Sequence, residues 1–335
     1  MSLESLAAGV LFVGLVAYAL LGGADFGSGF WSAFAFGPRA KEVREAMFRA
    51  MGPVWETNHV WLILVLVTLW TAFPVAFGSL FEALFLPLTV ALVGIVFRGA
   101  AFAFRHYGSQ SNPGLPATGL VFSVASTLTP FAMGVSVGAV INGGVPVDGP
   151  PPGIFEAWLE PFPLLCGLIA LAICAFLTPF YMLIRPLNPQ VLEGCRRLGF
   201  AGSLALGALT ALAIPLGAMS ADDFSDRLLR PLPIIVMVCA ATAGLLSLLL
   251  LWQRTYRFAP MIAGATVVLV LAAWGAAQYP YMLMPATRIE AVAAGHATLE
   301  AFLIALPLGA LILVPSLLAL FLLFAEADPN EVENS

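Results

Sequence analysis

Nine apolar stretches recur along the chain, each close to the length that crosses a bilayer. They cover residues 6–24, 57–77, 80–97, 118–141, 161–184, 198–219, 232–252, 259–279 and 297–324. A helix of about 20 predominantly apolar residues spans the hydrocarbon core, and a helix satisfies its own backbone groups where water cannot. The fold class is therefore all-α: a polytopic membrane protein with nine transmembrane helices, read as one integral membrane domain over 1–335. Composition agrees, with 61% hydrophobic residues and only 14 basic and 19 acidic ones among 335. A soluble domain is about a quarter charged. Pro130, Pro179, Pro215, Pro307 and Pro315 fall inside spans, where neighbouring helices can satisfy the carbonyls they free. The first apolar run follows Glu4 with no basic residue ahead of it, so it reads as a span and not as a cleaved signal. A net charge of −5 without a clustered basic face excludes nucleic acid as a partner.

The loops set the orientation. With the N-terminus outside, the cytoplasmic side collects Arg39, Lys41, Arg44, Arg49, Arg98, Arg105, Arg185, Arg196, Arg197, Arg254 and Arg257, which is eleven of the 14 basic residues. Arg227, Arg230 and Arg288 remain outside. That asymmetry is the positive-inside pattern, and it places the C-terminus in the cytoplasm. Residues 142–160 form an outer Pro/Gly-rich loop without a basic residue. Trp158, Trp252, Tyr256, Tyr279 and Tyr281 lie at span ends, where amphipathic rings anchor at the interface.

Ionisable residues in or beside the spans are few: Asp25, Glu56, His59, Glu82, Arg98, His296 and Glu300. A charge at mid-membrane costs roughly 2.5–3.5 kcal/mol on insertion scales, so each is a functional candidate. Alternation of the spans brings Asp25, the Glu56/His59 pair and Arg98 to one cytoplasmic depth. Glu56 and His59 are three residues apart and share a helix face. A carboxylate, an imidazole and an arginine at one depth can pass a proton inward, with Arg98 favouring the ionised carboxylates. The spacing alone also permits a structural reading, in which Asp25 and Glu56 cap helices or pair with loop arginines. Glu82 and the His296/Glu300 pair read as outer interfacial groups without chemistry.

Three histidines are too few for an evident haem clasp. A membrane cytochrome needs two at matched depth, whereas His59 is inner and His296 outer; His106, in an inner loop, shares a side with His59, but nothing in the sequence favours that pair. No haem or metal ligated by this chain is expected. Cys166, Cys174, Cys195 and Cys239 show no CxxC spacing, and three of them, within or beside apolar runs, read as small buried hydrophobes. The glycines of LGGADFGSGFW, residues 21–31, do not follow a strand as a nucleotide loop requires, and read as a close helix-packing surface.

Three blocks in this region carry a family resemblance: LGGADFGSGFW ending span 1, GPVWETNHVWLI entering span 2, and VFRGAAFAFR ending span 3. In order, spacing and depth they resemble subunit II of cytochrome bd-type quinol oxidases. YPYMLMP and HATLEAF, near span 9, resemble that family more loosely. The resemblance implies two four-helix bundles plus one peripheral helix in the bacterial cytoplasmic membrane. It implies a pseudo-symmetric heterodimer with a larger subunit I, which holds haems b and d (or b-type variants) and oxidises quinol while dioxygen is reduced to water. It also admits a small single-span subunit. In that family subunit II supplies structure and a proton path, and the acid of its tryptophan-acid-x-Asn block matches Glu56. Asp25 and Arg98 match the acid and the arginine of their own blocks. The sequence departs from the pattern at Gly22, where an acid is usual, and at His59, where relatives often carry Gln or Glu.

The expected function is thus a haem-free accessory subunit with Glu56, Asp25, Arg98 and His59 on a proton path. A proton-coupled secondary transporter is the main rival. It would show broken helices and a midplane site at a repeat interface, whereas these acids gather near one face and no repeat is visible. A purely structural assembly subunit is the third reading.

Overall fold

The computed structural model describes residues 2–35, 40–51, 54–107, 116–185 and 187–326. Among them the chain forms twelve α-helices and one two-stranded antiparallel sheet. Eight helices are long and apolar enough to cross a membrane: α1 (Leu3–Ala33), α5 (Phe85–Tyr107), α6 (Pro116–Ile141), α7 (Pro161–Met182), α8 (Pro189–Ser220), α10 (Pro231–Trp252), α11 (Ala259–Gln278) and α12 (His296–Glu326). The pair α3 (Val54–Ala72) and α4 (Pro74–Ala83), sharply bent at the break between them, is long and apolar enough only when taken together, and counts as a ninth span if it crosses as one. Two short helices complete the set: α2 (Ala40–Met51) on the face where α1 ends, and α9 (Asp222–Leu228) on the opposite face.

The expected boundaries change in an instructive way. Span 1 runs on past residue 24 to Ala33, and span 3 runs past residue 97 to Tyr107. Asp25 and Arg98 are therefore inside their helices and not at the ends. Hydropathy falls at a polar residue, but a helix continues wherever neighbouring helices can satisfy that residue. Span 2 differs in the other direction. Its expected continuity over 57–77 is broken at Phe73, and α4 leaves α3 at 116°. Pro74 has no N–H to donate, and it disfavours helical backbone at the residue before it. Phe73 accordingly leaves the helical region, at φ −137° and ψ 58°. The carbonyl of Ala72 finds a donor elsewhere, the N–H of Ala294 at 2.8 Å. Glu82 thus rides on α4, exposed, and not within span 3. By contrast, Pro130, Pro179, Pro215, Pro307 and Pro315 all stay inside helices.

Helix α1 is the organising element, packed against α3, α6, α7 and α11. Helices α5, α6, α7 and α8 pack in succession, and α10 lies against α11 and α8. Two buried clusters hold these layers. One joins α1, α3, α4 and α12 through Leu11, Val65, Ala76 and Leu299, with Phe73 and Leu84 at the two ends of α4. The other joins α7, α8, α10 and α11 through Phe176, Leu206, Leu251 and Val267. On the face opposite α2, the strands β1 (Tyr281–Leu283) and β2 (Thr287–Arg288) cover the end of α11. There Arg227 of α9 donates from Nε to the carbonyl of Ala277 at 2.9 Å and stacks 4.7 Å over the ring of Tyr281. Asp222 and Asp223 in the first turn of α9 and Arg227 in its last complement the helix dipole.

Candidate functional site: a buried polar cluster between four helices

The local packing explains why charge can be buried in this region. A Cβ on Gly27 of α1 would lie 2.0 Å from the carbonyl oxygen of Cys174 on α7, and one on Gly29 would lie 2.1 Å from Ser126 Oγ on α6. Only glycine permits backbones this close. Thr178 Oγ1 then bridges the seam, donating to the carbonyls of Ala24 at 2.8 Å and Cys174 at 3.0 Å. Trp31 Nε1 donates to the carbonyl of Ala175 at 2.8 Å. Arg44 of α2 closes the end of α1 by donating to the carbonyls of Ser32 and Ala35. The glycine-rich stretch is thus a packing seam that continues the helix, as the sequence suggested.

Asp25 and Arg98 come together at this seam, 5% and 3% exposed. The Asp25 carboxylate accepts a hydrogen bond from the side-chain amide of Asn58, which also donates to the carbonyl of Leu21 at 3.1 Å. Asn58 is itself 2% exposed, so this amide sits fully inside the protein. Arg98 donates from Nε to Ser126 Oγ at 3.2 Å. Its guanidinium carbon lies 4.7 Å from the ring centre of Phe26 and 5.4 Å from that of Phe122. Such cation–π contacts are worth about 2 kcal/mol when desolvated, which offsets part of the cost of a buried arginine. The opposite charges of Asp25 and Arg98 lie within each other's field, so each lowers the cost of burying the other.

His59 lies on the same helix as Asn58, half-buried, with its ring centre 6.5 Å from that of Tyr18 in an edge-on arrangement. Glu56 lies two residues before Asn58 on α3, and its side chain falls outside the described residues. Three of the four candidate residues (Asp25, Arg98 and His59) therefore have described places on three adjoining helices. A void of about 40 Å³ adjoins Asp25, lined also by Ser28, Met47, Thr178, Tyr181 and Arg185. Arg185 is exposed at the end of α7, so the void points from the buried carboxylate toward the arginine-rich face. It is roomy enough and polar enough for a water molecule.

Sequence reasoning assigned no role to several members of this cluster. Asn58 was part of a motif, yet its bond to Asp25 required the fold. Ser126 is one hydroxyl among several in an apolar span, with nothing in the spacing to separate it from its neighbours. Tyr18 is the most telling omission. Its hydroxyl is buried without a hydrogen-bond partner among the described residues. It stands seven residues before Asp25 on the same helical face, about 10 Å deeper into the bundle. A tyrosine in the middle of an apolar first span was the available signal.

The pair on α12 is different. His296 Nδ1 and Glu300 Oε2 are 3.8 Å apart on α12, with 79% and 59% of their side chains exposed. No group of three metal-ligating residues is present among the described residues.

Comparison with known proteins meets this geometry from another direction. A family profile described as cytochrome bd terminal oxidase subunit II matches residues 3–324. The chain is 24% identical over 242 residues to cytochrome bd ubiquinol oxidase subunit 2 of Bacillus subtilis (strain 168), covering 70% of this chain and 68% of that protein. It is 27% identical over 168 residues to cytochrome bd-I ubiquinol oxidase subunit 2 of Escherichia coli (strain K12). That match covers 48% of this chain and 42% of the relative, so it spans less than half of the relative's length. The fold is similar to a chain of the bd oxidase from Geobacillus thermodenitrificans, with a TM-score of 0.81 and 22% identity over 97% of this chain and 99% of that one. Since the profile runs through nearly all of the sequence, the chain belongs to the cytochrome bd terminal oxidase subunit II family.

Proposed function

We propose that this chain is the haem-free subunit of a bd-type quinol:oxygen oxidase in the bacterial cytoplasmic membrane. In this reading it stabilises a haem-bearing subunit I and gives protons a route from the cytoplasm toward the site of oxygen reduction. The observation that carries the proposal is the Asp25–Asn58 pair beside Arg98, buried in a bundle whose nearest face is rich in arginine. Arg44, Arg185, Arg196, Arg197, Arg254 and Arg257 lie toward that face and Arg227, Arg230 and Arg288 toward the other, which supports an orientation with the N-terminus outside.

The chain's own residues suit proton transfer and not electron transfer. Asp25 can take a proton at its carboxylate oxygen from a water molecule, for which the adjoining void has room. The fixed charge of Arg98 makes the ionised carboxylate affordable again once the proton moves on. Asn58 orients the carboxylate from the α3 side, where Glu56 and His59 are the next titratable groups along the chain. Haems b and d, or b-type variants, supply the redox chemistry when bound, and quinol supplies the electrons. The described histidines do not suit a haem. Ala294 is bonded to Ala72 at one end of α3. His296 is therefore at that end, while His59 is thirteen residues away, about 20 Å along the helix. The side chain of His106 lies outside the described residues. The packing of α1 with α3, α6 and α7, and of α8, α10 and α11 together, supports a two-bundle arrangement with α12 peripheral.

Replacing Glu56 with Gln in the assembled complex should slow quinol-driven oxygen consumption at least tenfold while the haem spectra stay intact. Wild-type turnover would leave the purely structural reading in place. A chain that purifies without a haem-bearing partner and drives solute uptake alone would support the transporter reading instead.

A further inference from the structure

A second ionic site lies where α8 begins and the chain turns from α10 into α11. Glu193 Oε2 accepts from Arg196 Nε at 3.1 Å and lies 3.3 Å from Arg254 Nη2, while Oε1 lies 3.8 Å from Arg197 Nε. One carboxylate against three guanidiniums leaves an excess of two positive charges. Arg196 is further committed: it reaches the carbonyl of Leu251 at 3.4 Å and covers the ring of Phe200 at 5.3 Å. Arg197 and Arg254 are instead 80% and 64% exposed. Each carries five N–H donors, more than one shared carboxylate can engage. With Pro189, Leu192, Glu193 and Tyr256 they line an open groove of about 430 Å³.

Three further features give this groove a ligand class. The first turn of α8 opens onto it, and the positive end of that helix favours an anion there. Arg254 sits at φ 58°, a left-handed position just past the end of α10 where glycine is the usual occupant. An arginine is thus kept where a side chain is conformationally costly. Each exposed arginine also stands at the end of an apolar stripe. Arg197, Ala201 and Leu204 are exposed along one face of α8, and Leu245, Leu249 and Trp252 along one face of α10 leading to Arg254. Leu204 and Leu245 are 63% and 68% exposed, as residues facing acyl chains would be.

The geometry points to a site for the phosphodiester head group of an anionic membrane phospholipid, gripped by Arg197 and Arg254, with its acyl chains along α8 and α10. An arginine near a membrane surface contributes enough attraction to an anionic lipid that losing one weakens binding roughly fivefold. Glu193 opposes the ligand's charge, so its removal strengthens the site. The site stands apart from the proton route and does not depend on it.

The test uses the intact, delipidated oxidase complex in detergent. Native mass spectrometry follows titration with dioleoylphosphatidylglycerol, with dioleoylphosphatidylcholine and inorganic phosphate as separate arms. The expected result is saturable retention of phosphatidylglycerol, weakened about fivefold by Arg197→Gln and more by Arg197→Gln with Arg254→Gln. Glu193→Gln should tighten it, and Arg230→Gln on the opposite face should leave it unchanged. Arg197→Gln suffices if the double variant does not assemble, because that side chain is mostly exposed. Equal retention in wild type and Arg197→Gln would overturn the proposal. So would equal retention of phosphatidylcholine, or displacement of the lipid by millimolar inorganic phosphate, which would mark a free-phosphate site.

Discussion

The molecule carries two ionic clusters built from similar groups in opposite settings. At the seam of α1, α3, α5 and α6, one carboxylate and one guanidinium are buried with an asparagine, a serine and two aromatic rings. At the start of α8, one carboxylate meets three guanidiniums at the surface. Exposed ion pairs contribute little to stability, because water already solvates both partners. Buried ones start from a desolvation cost of several kcal/mol per ion and are strongly destabilising when broken. A bundle that needed only cohesion could fill the seam with apolar side chains, as it does around Phe176 and Phe180. The difference is one of setting: charge at the α1 seam is not what cohesion alone would select, whereas the charge at α8 stands open to solvent.

The contrast can be put at risk by substitution. The largest effect is expected from Arg98→Ala, which leaves Asp25 buried without the charge of Arg98 and should cost roughly 3–5 kcal/mol. Thermal unfolding of the complex would show it, and adding Asp25→Asn should recover part of the loss. Full additivity of the two changes would mean the charges are not coupled. Gly27→Ala should come next, at about 1–3 kcal/mol, since its new methyl group meets the backbone of Cys174. A complex with unchanged melting would contradict the close approach of α1 and α7. Tyr18→Phe removes a buried hydroxyl without a described partner, so stability should hold or rise slightly. Oxygen consumption should nevertheless fall severalfold if that hydroxyl lies on the proton route, and equal turnover would remove Tyr18 from it. The smallest effect is expected at the surface cluster, where Glu193→Gln should leave both melting and turnover at wild-type values.

The long membrane helices and two members of the polar cluster were legible in the sequence because each rests on a local signal: apolar length for the helices, and an ionisable group in an apolar run for Asp25 and Arg98. The break at Phe73 was not legible. Pro74 looks like the prolines at 130 and 179, and what separates it is a distant donor, the N–H of Ala294, that takes up the carbonyl of Ala72. The helix ends were misjudged for a related reason, since hydropathy ends a span at Asp25 whereas Asn58 lets the helix run on to Ala33. Asn58, Ser126 and Tyr18 are neutral residues whose importance depends on what faces them from another helix. A single sequence carries no signal of that pairing.

The most direct test of a proton route through the seam is time-resolved proton uptake by the Asp25→Asn complex, read with a pH dye during a single turnover with oxygen. Asparagine keeps the shape and a hydrogen-bonding oxygen for Asn58 but cannot carry the proton. Uptake from the cytoplasmic side and oxygen consumption should both fall by tenfold or more, with haem content and melting temperature close to wild type. Uptake at the wild-type rate in a fully haem-loaded Asp25→Asn complex would contradict the route.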